Sequence, residues 1–192
     1  GDFNRDGKLD VYLTSVAWQK EDRAKSKKGW ESRLFEGRGD GKFADVSAKA
    51  GVLLDRPGRC CAWSDVDGDG WLDLFVACPN TPSVLFRNNR NGTFTDVTKQ
   101  ANVALDERMS LGCAFGDVDG DGLDDLFVAN YSSQVSALMK NLGGGKFREV
   151  TAKAGLGRKA AAVGCVFADV DNRGRLDLHI TTDSWLSGAN YT

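Results

Sequence analysis

The residues most able to do chemistry in this 192-residue chain are its aspartates, which recur at fixed spacing. Four nine-residue segments follow or approach the pattern D-x-D-x-D-G-x-x-D: Asp2 to Asp10, Asp65 to Asp73, Asp117 to Asp125 and Asp169 to Asp177. Four carboxylates held within about 6 Å repel one another strongly unless a cation sits among them. Oxygen donors without His or Cys select a hard ion, and a flexible loop of this size favours Ca²⁺ over Mg²⁺. In the second segment Asp65, Asp67, Asp69 and Asp73 would supply side-chain oxygens and Trp71 its backbone carbonyl, while Gly70 permits the sharp turn. The third repeats this with Asp117, Asp119, Asp121, Asp125 and the carbonyl of Leu123. The first uses Asp2, Asp6, Asp10 and the carbonyl of Lys8, with Asn4 as a neutral oxygen donor in the second slot. The fourth keeps Asp169, Asp171, Asp177 and the carbonyl position Arg175, but Arg173 takes the third slot. A guanidinium there neutralises carboxylates as an internal cation. The expectation is about three calcium ions, with the fourth loop filled weakly or not at all.

An EF-hand is the competing explanation, and it fails twice. Its twelfth position should be Glu, whereas here it is Val76 and Val128. Its loop should lie between helices, whereas the flanking text here has the character of strands. The loops are therefore expected to be calcium-binding β-hairpins.

Stepping outward from the loops, the chain is an internal repeat. The loop starts are 63, 52 and 52 residues apart. A second marker lies between them: Gly41-Lys42-Phe43-Ala44-Asp45-Val46-Ser47, Gly92-Thr93-Phe94-Thr95-Asp96-Val97-Thr98 and Gly145-Lys146-Phe147-Arg148-Glu149-Val150-Thr151. Short apolar runs after the loops, Asp73 to Ala77 and Asp125 to Ala129, read as buried strands. Ser83 to Phe86 and Thr93 to Val97 are two more, joined by a turn containing Asn91-Gly92. Ala62 to Ser64 and Ala114 to Gly116 lead into the loops and supply a fourth. Four short strands every 50 residues or so make one propeller blade each. The expected fold is all-β, a β-propeller of four-stranded antiparallel blades, with repeats at approximately 1–52, 53–104, 105–157 and 158–192. The first repeat starts at its loop and the last stops near Asn190-Tyr191-Thr192, so both are expected to be incomplete blades. Helix is confined to a single turn near Val46 to Ala50 and its equivalents.

Composition agrees and sets limits. The apolar share of 41% excludes disorder as the main state, because enough apolar surface exists to offset chain entropy. Glycine, at 23 residues against 3 prolines and without a collagen-like period, belongs to turns. No apolar run is long enough to span a membrane. A leader peptide, if one existed, is expected to lie outside this sequence. The net charge of −2 hides acidic loops set in a basic remainder, which points to a cation in the loops and gives no case for nucleic acid.

The blade text, Asp-Val-Asp-Gly-Asp-Gly, then Leu-Phe-Val-Ala, then Asn-Gly-Thr-Phe-Thr-Asp-Val-Thr, resembles the FG-GAP/VCBS repeats of integrin-alpha-like β-propellers, especially the cartilage acidic protein and ASPIC/UnbV branch. The resemblance implies a secreted or cell-surface protein with Ca²⁺ in the inter-strand loops. It implies little about activity, because function is carried by sites grafted on a fold.

Other features are weighed individually. Cys61, Cys113 and Cys165 each lie four residues before a loop, where blades converge, and are expected to be packing residues. Pairing residue 64 with 74 across the second loop would also pair Cys60 with Cys78, a candidate disulfide, although an odd cysteine count argues against a full disulfide framework. Asn91, Asn130 and Asn190 begin glycosylation sequons. Arg38-Gly39-Asp40 sits at a hairpin tip, where Gly and Asp are turn chemistry. Trp18 and Trp30, in the inserted and basic stretch from Ala17 to Ser32, are candidate partner contacts. The sole histidine, His179, is placed on a buried strand, and no nucleophile has an evident base, so the chain is read as non-enzymatic. The first functional reading is an extracellular calcium-stabilised structural or adhesive module that engages protein, including copies of itself head to tail. The alternative is a glycan-binding propeller with Trp18 and Trp30 as stacking platforms.

Overall fold

Residues 1–15, 31–54, 56–106 and 108–183 are described by the computed structural model of the chain. The second repeat forms an antiparallel meander of β4 (Cys60–Ser64), β5 (Asp73–Ala77), β6 (Val84–Asn88) and β7 (Phe94–Asp96), with neighbours paired in sequence order. The third repeats it as β8 (Ser110–Gly116), β9 (Asp125–Asn130), β11 (Ala137–Asn141) and β12 (Phe147–Glu149). These are propeller blades in strand order and sense. The first repeat contributes β1 (Val11–Leu13), β2 (Arg33–Gly37) and β3 (Phe43–Asp45), and the fourth contributes β14 (Ala162–Ala168) paired with β15 (Asp177–Thr182).

The second strand of each full blade, β5 or β9, is buried along its whole length, as its unbroken apolar run requires. Apolar side chains from adjacent repeats then merge into layers between sheets. Phe3, Leu74, Val76, Val84 and Phe94 fill the layer between the first and second repeats. Val66, Phe75, Leu85, Cys113, Leu126 and Val128 fill the next, and Phe127, Ala129, Leu138 and Ala162 the third. In the first two loops the residue after the first aspartate is part of this packing: Phe3 and Val66 are 2% and 1% exposed. Val118 packs partly buried against the third layer, whereas Val170 is 73% exposed, so the fourth loop lacks the apolar plug of the others.

The marker between loops has a structural cause. Ser47, Thr98 and Thr151 place their hydroxyls on the backbone N–H of Leu34, Leu85 and Leu138, at 2.9 to 3.0 Å, in the third strand of each blade. Asp45, Asp96 and Glu149 accept a hydrogen bond from the same hydroxyls. A buried N–H left unpaired would be costly, so the Asp/Glu-Val-Ser/Thr text recurs. One-turn helices follow, α1 (Ser47–Ala50) and α2 (Thr98–Ala101), ending on Gly51 and Asn102 in the left-handed region.

Neighbouring repeats are also tied by backbone. Ser32 bridges Leu54, Pro79 bridges Met109, and β10 (Gln134–Val135) pairs with β13 (Lys159–Ala160). The inner strands come closest where β8 meets β14: a Cβ on Gly112 would lie 2.9 Å from the Gly164 Cα.

Three expectations are corrected here. The register pairs Ser64 with Asp73 and hence Cys60 with Ala77, one residue away from the assumed pairing. Cys60 faces the third repeat and Cys78 lies in the layer towards the first, so the Cys60–Cys78 disulfide is not formed, and all five thiols are free. Asn130 is fully buried, accepting from Ser110 Oγ and donating to the Val135 carbonyl, which leaves no room for a glycan. His179 is exposed on β15.

Candidate metal centre

In the first repeat the loop runs directly into β1, and in the other three it joins two paired strands, its ninth residue being the first of the second strand. That residue is buried in the first three loops: Asp10, Asp73 and Asp125 are 3%, 1% and 0% exposed. Its carboxylate closes the loop. One Asp73 oxygen accepts from the Val66 N–H at 3.1 Å, the other from the Asn88 N–H at 2.8 Å. Asp125 does the same with Val118 and Asn141, and Asp10 with Phe3 and Gly37. The amides of Asn88 and Asn141 then donate to the carbonyls of Phe3 and Val66, the plugs of the preceding loops. Sequence reading had marked these aspartates only as ligands. The recurrence of Asn88 and Asn141 at the end of the third strand was the available signal for their clasping role.

The first aspartate holds the loop's turn. Asp65 accepts from the Asp69 and Gly70 N–H groups at 2.9 and 2.7 Å, and Asp117 accepts from Gly120, Asp121 and Gly122. Asp2 and Asp169 repeat this with Asp6, Gly7, Arg173 and Gly174. Gly70 and Gly122 adopt φ of 85° and 83°, which an L side chain reaches only with strain.

Convergence of ligand atoms differs between loops. Among the described residues, carboxylate oxygens of Asp65, Asp67 and Asp73 lie within 4.8 Å of one another, as do those of Asp117, Asp119 and Asp121. The first and fourth loops make no such group of three acids. In the first, Asn4 takes the neutral slot and donor Lys8 Nζ lies 3.1 Å from Asp6. In the fourth, the Arg173 guanidinium pairs with Asp171, whose carboxyl it holds below the usual range. Asp177 is exposed there, unlike its three counterparts.

Electrostatics separate the two convergent loops. In the second, Asp67 Oδ1 is buried and has no hydrogen-bond partner. Burial raises the Asp67 carboxyl, and the nearby charges of Asp69 and Asp65 raise it further. Asp73 is pushed up to about 7, by burial first and then by Asp67 and Asp69, against its two N–H donors. Arg90 pairs with Asp69 at 2.8 Å, and the charge of Arg87 offsets only part of the rise at Asp67. In the third loop, Lys140 of β11 places Nζ 2.5 Å from Asp119, 2.7 Å from Asp121 and 3.8 Å from Asp125. Its hydrogen bond holds Asp121 low. Sequence reading passed over Lys140, which lies 15 residues beyond the loop it serves.

An unpartnered buried carboxylate oxygen beside two other carboxylates fits a hard divalent cation. Asp65, Asp67, Asp69, Asp73 and the Trp71 carbonyl are the donors offered in the second loop. The Trp71 ring itself carries the Arg5 guanidinium 5.5 Å from its centroid, linking the first loop to the second.

Blades of this topology, strung on aspartate hairpins, define a propeller-repeat protein. The chain belongs to the FG-GAP-like repeat family, whose model matches residues 65–128 and again 117–180. It is 27% identical to cartilage acidic protein 1 of Mus musculus over 154 residues, 79% of this chain and 24% of that protein. The Homo sapiens protein of the same name matches at 27% over 155 residues, covering 79% and 23%. The Xenopus tropicalis one matches at 27% over 139 residues, covering 71% and 21%. The chain spans about a quarter of the length of these relatives.

Other predicted contacts fall in varied places. Asn91 is exposed at a hairpin tip, where its side-chain oxygen accepts from Thr93. Arg38-Gly39-Asp40 is an exposed turn whose Asp40 accepts from the Lys42 N–H. Trp18, Trp30 and Asn190 lie outside the described residues. No described helix is long and apolar enough to cross a membrane.

Proposed function

We propose that this chain is a calcium-stabilised propeller segment serving as a non-enzymatic structural and adhesive module outside the cell. The observation that carries the calcium reading is Asp67 Oδ1, buried and unpartnered between Asp65 and Asp73. A calcium ion would supply the positive charge that this carboxylate group lacks. The chain's own part is to hold the donors in place, through the N–H groups that clasp Asp65 and Asp73. We assign about three ions, to the first three loops, with the second filled first. Extracellular placement rests on membership of the family and on the word cartilage in the relatives' name.

A contact role is supported by where apolar side chains remain exposed. Leu9, Leu13 and Phe43 lie on the first repeat, and Val166, Val170 and Leu176 on the fourth, with exposures of 38% to 75%. These flanks suit addition of another sheet, from a further blade or from a copy of the chain.

Calorimetric titration of chelator-treated protein with Ca²⁺ tests the metal reading. Heat of binding at sub-millimolar to millimolar Ca²⁺ that disappears in Asp67→Asn at the tightest site is expected; no binding up to about 10 mM overturns it. Light scattering in calcium and in chelator tests self-association. A monomer under both conditions removes the head-to-tail reading.

A further inference from the structure

The inner strands of the second, third and fourth repeats read Cys60-Cys61-Ala62-Trp63, Gly112-Cys113-Ala114-Phe115 and Gly164-Cys165-Val166-Phe167. At the first position the second repeat departs from the other two: Cys60 stands where they have glycine. Between the third and fourth repeats that glycine is forced, since a Cβ on Gly112 would meet the Gly164 backbone at 2.9 Å and the Val163 carbonyl at 3.1 Å. Between the second and third repeats a side chain is accommodated, and it is a thiol.

Side-chain direction puts that thiol opposite another. Successive residues of a strand face opposite sides, so Cys61 turns to the first repeat and Cys60 to the third. Cys113 turns back towards the second repeat and joins the same apolar layer as Cys60. Cys60 Sγ lies 3.9 Å from the Cys113 carbonyl oxygen. The two thiols interact directly, which lowers the Cys60 thiol to about 6 and raises that of Cys113, with burial adding to the rise. Cys60 is half-buried and Cys113 is 7% exposed, so an attacking reagent meets Cys60 first. Cys78 is fully buried in the layer between the first and second repeats and is not a competitor.

We infer that Cys60 and Cys113 form a reversible disulfide that bolts the inner strand of one blade to the next, made by exchange with a small-molecule disulfide of the glutathione type. The Cys60 thiolate attacks one sulfur of the small disulfide, whose S–S bond breaks and releases a thiolate that takes up a proton. Cys113 then loses its proton and attacks Cys60 Sγ in the mixed disulfide, expelling the second small thiol. Two protein thiols are oxidised and one small disulfide is reduced to two thiols. The bond closes a loop through the whole second blade, so it restricts the unfolded chain and resists separation of the two sheets.

The test is equilibration of the native chain in glutathione buffers from reducing to oxidising, at about pH 8, followed by acid quench, alkylation and intact mass. Alkylatable thiols should fall from five to three without retained glutathione. Fragment masses should join residues 60 and 113, and the oxidised form should unfold at higher denaturant than the reduced form. Cys113→Ala should stop at a glutathione adduct on Cys60. Cys60→Gly, which restores the residue found in the other repeats and so protects the fold, should keep all four remaining thiols. Cys61→Ser and Cys78→Ala should still lose two thiols. Five thiols persisting in the oxidising buffer, a bond from Cys60 to Cys78, or two thiols lost in Cys113→Ala would each overturn the assignment.

Discussion

The second and third loops carry the same six opening letters, Asp-Val-Asp-Gly-Asp-Gly, and the same closing aspartate, yet they hold charge in opposite ways. Their backbones share the first aspartate's hold on the turn and the ninth's clasp on the blade, with one further bond, from the Gly120 N–H to Asp117, in the third loop. In the second loop the carboxylates lie among themselves, and Asp67 and Asp73 are raised by burial and mutual repulsion. In the third, one ammonium from the third strand reaches Asp119 and Asp121 and approaches Asp125. Arg87 occupies the matching position in β6, where it is exposed and only partly offsets the rise of Asp67 by its charge, without an ion pair to the loop. The motif therefore dictates loop shape, while a residue of another strand dictates how much positive charge the loop still needs.

If the shape is common to both loops, breaking the clasp should hurt both alike. Asp73→Ala and Asp125→Ala each strand two N–H groups, all buried save the partly buried one of Val118, and each should cost about 3 kcal/mol in urea unfolding, in calcium and in chelator. A large loss in only one would show that the clasps are not equivalent. Calcium removal comes next in size. Saturating chelator should lower the unfolding free energy by roughly 1 kcal/mol per site filled at millimolar calcium. Asp67→Asn should remove most of the share belonging to the second loop, whereas Asp119→Asn should remove less, since Lys140 already compensates that carboxylate.

The charge difference itself is tested at Lys140. Lys140→Met should tighten calcium binding at the third loop by roughly three- to tenfold, the worth of one or two partly exposed ion pairs. Arg87→Met should change the second loop far less. Equal effects of the two substitutions on titration calorimetry would erase the distinction between the loops.

How far these features could be read from sequence follows from how local they are. The apolar runs of β5 and β9 and the turn glycines announce blades within a few residues, so strand order was legible. The register was not: it depends on Asp73 already pairing with Ser64 inside the ladder, and a slip of one residue turned Cys60 towards a wrong partner. The Asn130 sequon was misleading because β9 runs one residue past the end of β5, taking that asparagine into a buried contact with Ser110. Lys140 and the pairing of Cys60 with Cys113 were invisible for the same reason. Both join segments that only the folded stack of sheets brings together.

The smallest effect expected is a pH dependence that separates the metal-free from the calcium-bound second loop. Asp73 stands at about 7 in the folded chain, against the ordinary carboxyl value of 3.8 once unfolded. Between these values the folded chain binds more protons, so this group's stabilisation is complete below about 3.8, declines through the window and is lost above about 7. In chelator, the Asp73 contribution should therefore favour the folded state as pH falls from 8 towards 5. Calcium reverses the sign, because the ion and the proton compete for the same carboxylate and acidification releases the metal. The measurement is the difference between wild-type and Asp73→Asn unfolding free energies across that range, with and without calcium. Two parallel curves would mean that the proton and the metal do not meet at Asp73. Curves that cross would place their competition in the second loop, and the same comparison at Asp125 should show a weaker crossing, because burial raises that carboxyl while Lys140, 3.8 Å away, offsets part of the rise.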